Sequence, residues 1–455
     1  MQTINWQQFG LKKDPYDTLP LIEGGDLNIK DAFIGREKER NFLDSIFNSS
    51  KNICLTICGD VGVGKTSLTN FHKFIWKYNI TQKNKLLFSF RREIEATKYL
   101  LNKQSFILEI IASVLREIKL LSPELIKNPL LSKLNKIIDF TQSLTINAGI
   151  SALGFGGDIG VQKITEQPMR FTTATLEEYF SELLKFIKSN KINGLNYEGL
   201  IIHVNNFDVV LNNPEDKKQT IAFFNEIRDM LQIPDVYYLF LGPNNFFKDI
   251  ISTQQRVKSI FYQTPLKISA LSKTEILQAF EKRMNLLKSE DVKDFIKPVD
   301  DDVIFKLYDL YSGDIRSIMS AIRSILGQYS DQVARTLSVN EAMVLLGKER
   351  WENIERMQLT TEQKQLLKFL ASSDKFLSQK NVASLLNKAR PNISQYYFKP
   401  LVQNNIIEVK EEKQRTPYYG LTTDFFPIKW IIESQKRLVT KINEKSNQLL
   451  LFSKK

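Results

Sequence analysis

Cysteine and histidine are nearly absent, with two of each in 455 residues. That supply leaves no Cys/His spacing able to hold zinc. Cys54 and Cys58 both fall in the apolar run NICLTIC, where they suit a core better than a redox pair. Also missing is any apolar run near the ~18 residues that a membrane span requires. The opening MQTINWQQFG lacks the basic and apolar regions of a secretory signal, so a cytoplasmic location without a membrane partner is expected. Low-complexity bias is absent too, since 42% hydrophobic and 25% charged residues describe an ordinary globular protein. At this length the chain exceeds one core and should divide into two or three domains.

What is present is positive charge, unevenly spread. The net charge is +12, and residues 356–455 hold 18 Lys/Arg against 8 Asp/Glu, so 18 − 8 = +10 belongs to them and +2 to the rest. A basic end on a nearly neutral body suggests an anionic partner, nucleic acid before membrane. Surface lysines that only keep the protein soluble are the plainer alternative.

Along the chain, residues 1–30 read as a loosely structured lead-in, with turns at KKDPYDTLP and EGGD. Residues 31–270 alternate strand and helix: NICLTIC, then a glycine loop and a helix, KLLFSF, the amphipathic QSFILEIIASVLREIKLL, GLIIHV, KKQTIAFFNEIRDMLQ, VYYLFLG and PLKIS. The simplest solution is a parallel sheet with helices on both faces. The glycine-rich SLTINAGISALGFGGDIGVQKI, Ser143 to Ile164, reads as an inserted hairpin suited to a protein contact. Residues 271–350 are helical and form a small lid, with no strand expected until about residue 406. Residues 356–430 form a third unit, and 431–455 a C-terminal helix or tail.

Gly59-Asp60-Val61-Gly62-Val63-Gly64-Lys65-Thr66 satisfies G-x-x-x-x-G-K-[ST], follows an apolar strand and opens a helix at Ser67. Such a loop curls backbone N–H groups around phosphate oxygens at a helix N-terminus. Lys65 would reach the β- and γ-phosphates, and Thr66 would offer its hydroxyl to Mg²⁺. ATP or ADP with Mg²⁺ is therefore the expected cofactor.

With these motifs in order, the chain from about Phe33 to Gly327 resembles the AAA+ and STAND class of P-loop ATPases. The likeness is greatest to the branch of origin-recognition and replication-initiator ATPases. The implied fold is an α/β, parallel-sheet P-loop NTPase (AAA+-like) core, a small helical lid and a C-terminal winged helix-turn-helix. Phe33-Ile34-Gly35-Arg36-Glu37 is similar to the element that precedes the glycine-loop strand and packs against adenine, which implicates Ile34, Gly35 and Arg36. SGDIRSIMSAI resembles the lid helix whose arginine, here Arg316, senses the γ-phosphate; a solvated arginine is the alternative, and Arg323 lies on nearly the same face. The polar sensor after the fourth strand would be Asn244 or Asn245, unless these are turn residues. Arg256 sits where a trans-acting arginine would fall, though an ordinary surface arginine is the simpler reading.

The resemblance also implies an acid that organises Mg²⁺ and a second that activates water at the end of LIIHV, where this chain has Asn205 and Asn206. An amide accepts a hydrogen bond from metal-bound water but carries no charge and is no base near neutral pH. Asp208 either imitates the missing acid or caps a turn. His203, inside the strand, reads as a core histidine. ATP binding is better supported than turnover, which describes a nucleotide-gated switch.

In the third unit, TTEQKQLLKFLASS, SQKNVASLLN and RPNISQYYFKPLVQNN read as three helices, followed by a strand-turn-strand with the tip KEEKQR. This order resembles a winged helix. Asn392, Gln395, Tyr396 and Lys399 fall at i, i+3, i+4 and i+7, so they can share a face aimed at the major groove while Ile393, Tyr397 and Leu401 pack inward. Arg390, Lys410, Lys413 and Arg415 would hold phosphates, and Pro400 should kink or shorten the helix. Double-stranded DNA is the expected partner. The alternatives are a defence or signalling ATPase whose winged helix and hairpin contact an effector protein, self-association, and a regulator with a merely structural nucleotide.

Overall fold

The computed structural model describes residues 4–80, 85–147, 172–211, 213–329, 334–373, 376–411 and 417–435. Two compact units result: Leu19–Leu271, and Met1–Thr18 together with Ser272–Lys455.

The first unit is a parallel α/β sheet. Its strands are β1 (Ile53–Gly59), β2 (Leu87–Ser89), β3 (Ile94–Glu95), β4 (Gly199–Asn205), β5 (Val236–Gly242) and β6 (Leu266–Ile268), in the order β2-β4-β5-β1-β6, with β3 continuing alongside β4. All seven residues of β1, β4 and β5 are buried, as expected of strands covered on both faces. One face carries α1 (Ile29–Ala32), α2 (Glu37–Ser49) and α3 (Lys65–Tyr78), where Leu43, Phe47, Leu68 and Phe71 meet Leu55, Ile57, Ile201 and Leu239. The other carries α4 (Lys103–Leu121), α5 (Pro129–Asn147), α6 (Thr173–Ser189) and α8 (Pro214–Glu226) over Leu200, Ile202, Val204 and Phe240. The short helices α7 (Phe207–Val210) and α9 (Gln255–Lys258) follow β4 and precede β6. The α/β P-loop fold read from the sequence is thus present, with the glycine loop between β1 and α3.

Where the sequence suggests a hairpin from Ser143, Ser143–Asn147 is instead the last turn of α5. Leu131, Leu134, Ile137 and Ile138 recur at helical spacing and are buried together, which carries the helix forward. The remainder of that segment, 148–164, lies outside the described residues.

The second unit contains α10 (Lys273–Leu287), α11 (Asp301–Leu310), α12 (Ile315–Gly327) and α13 (Val339–Arg356). There follow α14 (Thr361–Ser373), β7 (Leu377–Ser378), α15 (Gln379–Leu386), α16 (Arg390–Asn392), a π-helical stretch Ile393–Phe398, α17 (Lys399–Gln403), β8 (Ile407–Glu411) and β9 (Pro417–Leu421). The strands pair antiparallel in the order β7-β9-β8, so a short strand at 377 precedes the one expected near 406. The start of the lead-in is packed rather than loose. Phe9, Leu11 and Tyr16 are buried, and Tyr16 meets Phe280 edge-on at 5.4 Å. Buried Arg283 donates to the carbonyls of Pro15 and Asp17 at 3.2 and 2.9 Å.

Candidate functional site

The glycine loop is shaped by two glycines for different reasons. A Cβ on Gly59 would stand 2.5 Å from the Ile268 carbonyl oxygen, and Gly64 holds φ at +92°, a region closed to most side chains. Gly64 is also the N-cap of α3 and provides no side chain to its first-turn N–H groups. Lys65 arches back, its Nζ donating to the carbonyls of Gly59 at 2.9 Å and Asp60 at 2.8 Å. Asn244 Nδ2 donates to Asp60 Oδ1 at 2.6 Å, so of the two sensor candidates Asn244 is the one joined to the loop. Ser67 Oγ accepts from the Leu21 backbone at 3.2 Å, while Val61 projects outward.

Arg36 adopts a left-handed backbone at φ 62°, after Gly35 at φ 73°. Its buried guanidinium donates to the carbonyls of Val63 at 2.8 Å and Ser269 at 2.6 Å, and to Glu39 at 3.2 Å. Phe33 stacks on Phe71 of α3 at 4.4 Å, with the Arg40 guanidinium 4.7 Å from the same ring. This element fastens the entrance of α2 to the glycine loop. Ile34 is half-buried beside it.

At the end of β4, Asn205 is buried and its Nδ2 donates to Thr66 Oγ1 at 2.9 Å. The pair joins the end of β4 to the first turn of α3. Asn206 sits at φ 66°, a conformation asparagine tolerates better than most residues, which gives its identity a backbone cause. Asp208 lies half-exposed in the first turn of α7. His203 is fully buried, neither ring nitrogen has a hydrogen-bond partner among the described residues, and burial, aided by Lys73, pushes its pKa well below the ordinary value. It is a neutral core histidine, as the sequence suggested.

Behind the loop lies a polar network that sequence periodicity missed. Lys73 Nζ donates to the Phe90 and Arg91 carbonyls at 3.0 and 3.3 Å, and burial brings its pKa down to about 8. Lys77, fully buried, bonds Glu117 at 2.6 Å and Glu23 at 3.0 Å, and Tyr78 Oη donates to Glu23 at 2.6 Å. Arg91 Nε lies 3.3 Å from both carboxylates. These groups anchor α3, and hence the loop that begins it.

In the second unit, Arg316 is exposed on the first turn of α12, where Asp314 caps the helix by accepting from the Arg316 and Ser317 N–H groups. Arg323 pairs with Asp14 at 3.0 Å. Arg256, in the first unit, is exposed on α9.

The polar face of the third predicted helix has the anticipated sides: Arg390, Asn392, Gln395, Tyr396 and Lys399 are exposed, while Ile393, Tyr397 and Leu401 are buried. Pro400 does not end the helix, which runs on to Gln403. Proline removes the N–H that would bond the Tyr396 carbonyl. That carbonyl instead accepts from Gln363 Nε2 of α14 at 2.7 Å, and the preceding residues widen into a π-helical turn. Lys410 pairs with Glu408 at 3.2 Å and covers the Phe376 ring at 4.1 Å; Lys413 and Arg415 lie outside the described residues.

No protein-family model matches the sequence, and no curated protein is similar to it. Among solved structures, the chain is similar to the Aeropyrum pernix ORC1 protein in complex with DNA, at 13% identity and a TM-score of 0.43, over 91% of this chain and 96% of that one. It is also similar to the Aeropyrum pernix ORC2 protein in its ADPNP-ADP complexes, at 14% identity and a TM-score of 0.46, over 94% and 100%. Cdc6p from Pyrobaculum aerophilum follows at 11% identity and a TM-score of 0.34, over 90% and 99%. Among the described residues no helix is long and apolar enough to cross a membrane.

Proposed function

We propose that this chain binds ATP in the glycine loop as a nucleotide-gated switch with little or no hydrolysis, and contacts duplex DNA through its C-terminal winged-helix unit. The observation that carries the first part is the Asn205–Thr66 contact. A strand acid is replaced there by a neutral amide that is engaged with the loop.

The residues fit a nucleotide. The α3 N-terminus has no capping side chain, Gly59 and Gly64 leave backbone room, and Lys65 is held over the loop by two carbonyls that phosphate oxygens can replace. Thr66 and Asn205 would face Mg²⁺, which when bound neutralises charge between the β- and γ-phosphates. Asn244, bonded to Asp60, would exchange that partner for the terminal phosphate, so nucleotide occupancy would be sensed at the end of β5. Neither Asn205 nor Asn206 can accept a proton from water at neutral pH, so the bound state persists.

Support for DNA contact is the exposed set Arg390, Asn392, Gln395, Tyr396 and Lys399, together with the +10 charge of residues 356–455. Residues 436–455 hold 6 Lys/Arg and 1 acid, so 6 − 1 = +5 of that excess belongs to the tail and +5 to residues 356–435. The tail would add phosphate affinity without reading bases.

The test measures ATP affinity and phosphate release with the full chain, with and without duplex DNA. Tight binding, slow release and salt-dependent duplex affinity that strengthens with ATP are expected. Turnover above about 1 s⁻¹, ordinary for a competent enzyme, would overturn the switch. Absence of duplex affinity alongside a stable complex with another protein would favour the effector alternative.

A further inference from the structure

We propose that Glu95 supplies, from the neighbouring strand, the carboxylate that β4 lacks. This inference rests on the nucleotide reading above. β3 pairs parallel with the end of β4, with Ile94 opposite Val204 and Glu95 opposite Asn205, and the Ala96 N–H donates to the Asn205 carbonyl at 2.8 Å. Opposed residues of adjacent parallel strands point to the same side of the sheet, about 4.8 Å apart.

Burial says which side that is. Ile94, Ala96 and Val204 belong to the core under α4. Ile201, four residues before Asn205 and on its side, is buried with Leu68 and Phe71 of α3. Glu95 and Asn205 therefore share the α3 face, where Asn205 meets Thr66. Glu95 is exposed and makes no hydrogen bond or ion pair among the described residues, unlike Glu23 and Glu117 deeper in the same unit.

A glutamate here adds two methylene-linked carbons of reach to a position one strand over from Asn205. It is thereby suited to accept hydrogen bonds from water on a magnesium ion held at Thr66. Glu95 is a positioning residue in this scheme: it acts through metal-bound water and leaves the nucleophilic water without a base. Such an arrangement retains Mg²⁺-ATP yet does not consume it, which reconciles a neutral β4 with a metal-dependent switch.

The experiment titrates a fluorescent ATP analogue into the full chain in excess Mg²⁺ and in EDTA. The wild-type chain should bind more tightly with magnesium. Glu95→Gln should lose about ten-fold of that gain, the worth of a hydrogen bond to a charged group, with affinity in EDTA unchanged. The double variant Glu95→Gln with Asn205→Asp should recover the gain, because it returns a carboxylate to the same face. Glu93→Gln, which removes a neighbouring charge, should leave it intact. An equal magnesium gain in wild type and Glu95→Gln, no gain in wild type, a loss that also appears in EDTA, or failure of Asn205→Asp to restore it would each overturn the proposal. Absence of nucleotide binding in both buffers would overturn the nucleotide reading itself.

Discussion

In the glycine loop the polar side chains are bonded to one another or to the loop's carbonyls, whereas on the helix around Tyr396 they project into solvent. Lys65, Asp60, Asn244, Thr66 and Asn205 form short contacts that a ligand must exchange. The side chains of Arg390, Asn392, Gln395 and Lys399 are exposed and make no hydrogen bond among the described residues, so a partner meets them with nothing to displace. A pre-bonded site favours a ligand that reproduces every contact at once, and so discriminates between ligand states. An open face favours association through charge and is correspondingly sensitive to salt.

The largest way to break this contrast is to return the acids to β4. Asn205→Asp with Asn206→Glu should raise phosphate release by about 10²–10⁴-fold, the span over which a general base acts; the measurement is single-turnover hydrolysis. No gain would mean that the strand does not address the water. The left-handed backbone at Asn206 sets a cost of about 1 kcal/mol on glutamate there, visible as a lowered urea midpoint.

A smaller effect is expected from Lys65→Ala, which should weaken ATP about 10- to 100-fold by removing a charged donor and leave duplex affinity without ATP unchanged. Lys399→Ala and Arg390→Ala should do the reverse. Each should lower duplex affinity several-fold with ATP affinity intact; the loss from Arg390→Ala, a phosphate contact, should be uniform across sequences and reduce the slope of log affinity against log salt by about 1, while that from Lys399→Ala, on the groove-facing side, should depend on sequence. Loss of both affinities from either set would erase the distinction between the two regions.

Acid acts on the stability of the first unit alone. Both histidines of the chain, His72 and His203, lie in the first unit. Burial, with Arg40 adding to it, holds His72 at about 3, and burial holds His203 well below its ordinary value. Folded imidazoles stay neutral while unfolded ones protonate below about pH 6.5, so the unfolded state binds more protons there. Stability of the first unit should therefore fall as pH drops from about 6.5 toward 3, by up to about 1.4 kcal/mol per pH unit for each histidine. His203→Leu should reduce the histidine contribution in urea titrations at pH 7 and 5. An unchanged slope would show that the ring is not neutral in the folded state.

Much of the first unit was legible because burial on both faces writes long apolar runs such as NICLTIC and VYYLFLG into the sequence. β3 was not, because two residues carry no periodicity. The lysines of α3 were also hidden: a helical reading takes Lys73 and Lys77 for surface, and only the positions of Glu23 and Glu117 make their burial intelligible. At the site, the glycine spacing announced the loop, but the partner of Asn205 and the backbone reason for Asn206 needed coordinates. On the helix face, the inward set followed from spacing, while the course of the chain through Pro400 depended on Gln363, 33 residues before its partner Tyr396 and beyond the reach of any periodicity.

That glutamine has a dynamic consequence. Gln363 also caps its own helix, donating its backbone N–H to Thr360 Oγ1 at 3.2 Å and accepting the Thr360 N–H on Oε1 at 2.9 Å. One side chain thus sutures the start of α14 to the middle of the exposed-face helix. In hydrogen exchange, the amides of α14 and of residues 393–403 should open as a single cooperative unit, and Gln363→Ala should split their protection into two separate levels.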